Sequence, residues 1–265
     1  MSSFFKKYAL AFLASALLGL IVLKHAQTLE KPSHETLVIG LQSGYPPFEF
    51  MDNKGKLVGF DVDLAAEIAA KLNKELVIKD MEFEGEILSL KQGKIDLIIS
   101  GMNITPSRLK EIAMVPYLGE AATALSLVFW KEIPQNIQSL ADIALFPHLS
   151  ISVESGTIPE TFISKYTGIK VKAFQGALAP LMDVKYGKSV ANLVEPDVAA
   201  YLKKQHPEIQ ILNVPLPKEE MILGFGIGIK KDNHELLQQI QQIIQELKAS
   251  GKLKQLESKW FKGGE

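Results

Sequence analysis

From residue 37 onward, short apolar runs alternate with amphipathic stretches, and they do so in two rounds. Few folds tolerate that pattern. In the first round, LVIGL (37–41) reads as a buried strand. YPPFEF (45–50) reads as a loop, because paired prolines continue neither strand nor helix. DNKG (52–55) reads as a turn, and DVDLAAEIAAKLN (61–73) as a helix with Leu64, Ile68 and Leu72 on one face. ELVIKDM is strand-like, FEGEILSLKQG helical and KIDLIIS (94–100) strand-like; TPSRLKEIA then opens a helix with Thr105 as N-cap and Pro106 at its first position. The second round gives strands at ALSLVFW (124–130), LSISVE (149–154), IKVKAF, SVANLVE (189–195) and IQILNV. Helices at SLADIA, IPETFISKY, ALAPLMDVKYG and PDVAAYLKKQ separate them. The chain closes on a strand, ILGFGIGIK, a helix, NHELLQQIQQIIQELKASG, and a last amphipathic stretch, KLKQLESKWF. Two rounds of alternation imply an α/β protein of two lobes, each an open parallel sheet.

In such sheets ligands bind off the carboxyl ends of the strands. The loops 42–49, 100–108 and 154–160 lie there, as does Glu195. The loop SGMNITPSR ends on Arg108, the only arginine among 29 basic residues. A cation in the first turn of a helix opposes the helix dipole, so lysine or glutamate would suit a plain surface helix better. Spacing alone leaves two readings open: a surface arginine pairing with Glu111, or a guanidinium fork gripping a carboxylate in two places. ESGTIPET (154–161) repeats the strand–glycine–hydroxyl–helix order, and Thr157 is either a helix cap or a second donor to the same anion. Glu195 is either a solvated strand end or a carboxylate aimed at a cation. Phe83 reads as core or as pocket wall; Tyr45, between Gly44 and two prolines, is less suited to pure core.

Composition removes other functions. Net charge is −1 and no basic stripe interleaves with aromatics, so nucleic acid is not an expected partner. Cysteine is absent, which excludes disulfides, thiolate metal sites and cysteine nucleophiles. The five histidines (25, 34, 148, 206, 234) have no ligand spacing, so no metal is expected, and no cofactor motif is present. In GFGIGIK the glycines recur every second residue, which suits a strand closely approached by another backbone rather than a dinucleotide loop. At the amino end, Lys6 and Lys7 precede a 16-residue run from Tyr8 to Leu23, short for a membrane span. Residues 1–26 are expected to be an export signal, or else an uncleaved anchor. They carry three lysines and no acid, so their removal would take the net charge from −1 to −4.

YPPFEF, KLVGFDVDLAAEIAAKL, LKQGKIDLIISGMNITPSR, GTIPETF and the terminal GIGIKKDNHELLQQIQQIIQELKASGKLKQLESKWF together resemble the periplasmic polar amino-acid-binding proteins of ABC importers. ITPSRLKEIA and LVEPDVA look most like the arginine-binding branch. The resemblance implies two lobes joined by crossovers near 119–123 and 215–220. Residues 27–35 would form a linker, 36–120 with 218–265 the first lobe, and 121–217 the second. It implies that Arg108 grips a ligand α-carboxylate, helped by Ser100, the backbone near Asn103, and Thr157. Glu195 would take the α-ammonium, Tyr45 and Phe83 would sandwich the side chain, and Gln42 and Glu154 would line its far end. Gln42 stands where binders of basic amino acids often carry an acid. Glu154 favours a cationic side chain, which ranks arginine first, lysine or ornithine next and glutamine last. The implied partners are a free amino acid and an inner-membrane ABC permease; the implied state is a monomer in the periplasm. Two alternatives share the fold: a cyclohexadienyl-dehydratase-like enzyme using a pocket acid, and a glutamine-binding protein.

Overall fold

The computed structural model describes residues 35–119 and 122–261; the expected export signal lies outside them. The strands are β1 (Thr36–Leu41), β2 (Phe50–Met51), β3 (Leu57–Val58), β4 (Glu75–Asp80), β5 (Leu97–Ile98), β6 (Ala113–Leu118), β7 (Ala124–Phe129), β8 (Ser150–Glu154), β9 (Lys170–Phe174), β10 (Ala191–Val194), β11 (Gln210–Pro215) and β12 (Phe225–Ile229). The helices are α1 (Phe60–Lys71), α2 (Phe83–Lys91), α3 (Pro106–Glu111), α4 (Leu140–Ala144), α5 (Ile158–Ile163), α6 (Leu178–Lys185), α7 (Pro196–Gln205), α8 (His234–Ala249) and α9 (Lys252–Trp260). Two five-stranded sheets form, in the orders β4-β1-β5-β12-β6 and β11-β7-β10-β8-β9.

Both sheets are mixed, not parallel as the alternation suggested. β1 runs parallel to β4 and β5, but β12 runs antiparallel to β5 and β6. β8 runs parallel to β9 and β10, but β7 runs antiparallel to β10 and β11. The reversed strand in each sheet is the one that arrives from the other lobe. Parallel neighbours need a crossover helix to carry the chain back to the starting edge. Among the described residues, no α-helix separates β6 from β7, or β11 from β12. The chain leaves one lobe at the carboxyl edge of its sheet and enters the other at the facing edge, so the incoming strand must run away from the cleft.

Local pattern accounts for most elements. Leu37 and Ile39 alternate into the first core, Leu41 is fully buried at the end of the same strand, and Leu64 and Ile68 of α1 are fully buried in that core. Thr105 caps α3 by accepting the Arg108 amide N–H at 3.1 Å, with Pro106 following it. β5 is shorter than its apolar run. β6 and the β2–β3 hairpin had no clear signal. Pro116 interrupts β6, and is tolerated because β6 is an edge strand. Of the alternating glycines, Gly224 is approached by backbone as expected, a Cβ there lying 2.7 Å from the Leu118 carbonyl oxygen, whereas Gly226 and Gly228 of β12 make room for side chains: a Cβ on Gly226 would lie 2.7 Å from Ile104 Cγ1.

Candidate functional site

Gln42, Tyr45, Phe83, Ser100, Asn103, Arg108, Glu154, Thr157 and Glu195 line one small cavity, together with Glu49 and Gly101. The first six come from loops and helix starts of the first sheet, the next three from the second. Each follows the carboxyl end of a strand, or opens the helix beyond it, where helix N-termini and loops converge.

Arg108 faces this cavity. Its Nη1 donates to the Asn103 carbonyl at 2.8 Å and its Nη2 to the Gly156 carbonyl of the other lobe at 3.1 Å. Its guanidinium carbon lies 5.1 Å from the centre of the Phe83 ring. Glu111 pairs instead with Lys91, at 2.5 Å, so the surface-pair reading of Arg108 does not hold. Burial lowers the Arg108 pKa, opposed by Glu195 and Glu86.

The other side chains interlock across the lobes. The Gln42 carbonyl Oε1 accepts the Phe83 N–H at 2.6 Å, which turns its Nε2 toward Glu154 Oε1 at 3.1 Å. Tyr45 donates its hydroxyl to Glu195 Oε2 at 3.1 Å and stacks on Phe48, with ring centres 5.4 Å apart. Thr157 does not cap α5 with its side chain; its hydroxyl donates back to the Glu154 carbonyl at 2.6 Å. The Ser100 hydroxyl donates to Glu86 Oε1 at 2.7 Å and accepts the Gln42 amide N–H at 3.0 Å. Asn103 Nδ2 is buried without a hydrogen-bond partner among the described residues.

Sequence reasoning missed Glu49 in the cavity lining and the carboxyls of Asp61 and Glu86 packed behind it. Glu49, Asp61 and Glu86 are fully buried. Asp61 accepts the Gly101 N–H at 2.6 Å and the Tyr117 hydroxyl at 2.9 Å, which pins the 100–103 loop. Burial raises Asp61 to about 6, against those two donors. Burial, and then the Asp61 charge, push Glu49 well above the usual carboxylate range. Burial also raises Glu86, against Ser100 and Arg108. A signal for Glu86 did exist: it sits three residues after Phe83 and four before Leu90, on the apolar face of α2. On the second lobe, Glu154 is 8% and Glu195 4% exposed. Burial and Glu195 raise Glu154 to about 8, against the Gln42 hydrogen bond. Glu195 is raised by burial, opposed by its backbone hydrogen bond, Tyr45 and Arg108.

Gly101 is the tight point of the wall. Its φ is +51°, and a Cβ there would lie 2.7 Å from two Tyr45 ring carbons. Gly101→Ala is therefore expected to destabilise the fold by about 1–3 kcal/mol and to displace the Tyr45 ring from Glu195. A denaturation midpoint equal to that of the parent would show that the ring yields without strain.

The arrangement places one fixed cation, Arg108, and three buried carboxyls, of Glu49, Glu154 and Glu195, around a small space. Such a space suits a small zwitterion held at both ends. Comparison with known proteins gives the same direction. The family model for bacterial extracellular solute-binding proteins, family 3, matches residues 37–263. The probable ABC transporter arginine-binding protein ArtJ of Chlamydia trachomatis serovar D is 40% identical over 226 residues, 85% of this chain and 86% of that protein. An ancestral arginine-binding protein solved bound to arginine superposes with a TM-score of 0.76 at 34% identity, covering 86% of this chain and 99% of that one. An ancestral arginine-binding protein solved bound to glutamine gives a TM-score of 0.75 at 35% identity, covering 85% of this chain and 97% of that one. With a family match across nearly all the described residues and a two-lobed fold shared with these structures, the chain belongs to the bacterial extracellular solute-binding proteins, family 3.

Proposed function

We propose that this chain is an extracytoplasmic solute-binding protein that carries arginine, and lysine or ornithine more weakly, to an ABC permease of the inner membrane, without chemistry on the ligand. The observation that carries the reading is that Arg108, Glu195 and Glu154 line one cavity. In it, Arg108 takes the α-carboxylate and Glu195 the α-ammonium, each a charge-assisted bond of about 1.5–3 kcal/mol. Phe83 and Tyr45 flank the side chain, whose cation meets Glu154. Lobes 36–120 with 218–265 and 121–217 pivot on the two crossovers. Residues 1–26 direct export, cleaved or kept as a tether. The arginine-binding name of the 40%-identical relative supports the choice of ligand.

A thermal-shift screen across the common amino acids tests this. Arginine at about 100 times its Kd should raise the unfolding midpoint by about 5–10 °C, more than any other amino acid. No shift with any amino acid would overturn the reading. Glutamine outranking arginine would favour a second reading, in which the neutral Gln42 amide beside Glu154 sets the choice. Prephenate and arogenate should pass through unchanged.

A further inference from the structure

Five carboxyls, of Glu49, Asp61, Glu86, Glu154 and Glu195, lie in or directly behind the cavity wall, each at most 8% exposed. One cation, Arg108, lines the same cavity, and its hydrogen bonds run to carbonyl oxygens. Glu154 is the cavity carboxyl held by a single neutral amide, Gln42 Nε2. Glu195 stands beside it on its own lobe; Glu49, Glu86 and the Tyr45 phenol face it from the other. The Arg108 charge acts on Glu195 and Glu86. A carboxyl so placed keeps its proton, because its ionised form would be desolvated beside further acids with no countercharge.

A ligand side chain carrying a positive charge changes that balance. We infer that Glu154 gives up its proton when a cationic side chain enters, so that the site exchanges a proton for the ligand's charge and sorts ligands by that exchange. This rests on the basic-amino-acid reading above and adds its mechanism of selection. The carboxyl O–H bond breaks, the proton passes to solvent, and the carboxylate left behind pairs with the side-chain cation. A neutral side chain such as that of glutamine leaves the proton where it is. Protons moved at Glu195 or behind the wall by the ligand's α-groups are common to both ligands and cancel in the comparison. Glu154 titrating at about 8 places the exchange in the neutral range.

Isothermal titration calorimetry of the full chain near pH 7, in phosphate, HEPES and Tris, reads the protons released. L-arginine should release about one more proton per site than L-glutamine, and the arginine-to-glutamine affinity ratio should rise about tenfold per pH unit below pH 8. In Glu154→Gln both differences should vanish, with thermal unfolding checking that the variant folds. The buffer series on the unsubstituted protein needs no variant. Equal proton counts for the two ligands, or a ratio that ignores pH, would overturn the inference while leaving arginine binding intact. Absence of any arginine heat would overturn the functional reading itself, and the inference with it.

Discussion

Arg108→Lys is expected to weaken arginine binding at least about tenfold, or about 1.4 kcal/mol, by calorimetry. Lysine keeps the charge but loses the planar fork. In the structure that fork spans the lobes, with one nitrogen on the Asn103 carbonyl and the other on Gly156, while its face covers Phe83. An ammonium cannot hold those directions and a ligand carboxylate together. Arg108→Ala should cost more, about 2–5 kcal/mol, because the described residues lining the cavity would then carry carboxyls but no basic group, and the ligand carboxylate would lose its cation. Its fold should persist, since the Thr105 cap of α3 uses the backbone N–H of residue 108 and not the side chain. Unchanged affinity in Arg108→Lys would remove the carboxylate grip from this residue.

Stability without ligand is expected to fall as pH rises from about 5 to 8. The sign follows from the buried acids. Glu154 moves from 4.5 to about 8 and Asp61 from 3.8 to about 6, with Glu49 and Glu86 also raised. Between the unfolded and folded values, the fold holds protons that the unfolded chain has released. Stability is then highest below the unfolded values and drops with each pH unit up to the folded ones. The Glu154 shift corresponds to about 5 kcal/mol at full ionisation. An unfolding midpoint about 10 °C higher at pH 5.5 than at pH 8 is the expected reading. A flat or rising midpoint would mean that these carboxyls are ionised in the fold. Glu154→Gln should remove the Glu154 part of that slope.

Much of this protein is legible along the chain, because periodicity and capping are local. Alternating burial in β1, the Leu64–Ile68 face of α1 and the Thr105–Pro106 start of α3 involve residues within a few positions of one another. The rule that ligands gather beyond strand carboxyl ends placed Arg108, Glu154 and Glu195 near one another, and the tertiary structure brings all three to one cavity. What the chain alone left undecided depends on partners far away in sequence. The reversal of β7 and β12 follows from where each strand enters the opposite lobe. The choice between a surface and a cavity arginine was decided by Lys91, which takes Glu111, and by Gly156, 48 residues from Arg108. Glu49, Asp61 and Glu86 read as ordinary acids in a loop and two helices; only folding buries them behind Ser100 and Gly101. A carboxyl's charge depends on how much water and which neighbours surround it, and packing alone supplies both. The sequence therefore marked the loops and most of the side chains that meet at the site, and the tertiary structure decided that Arg108 faces it, that Glu49 joins it and which carboxyls are desolvated there.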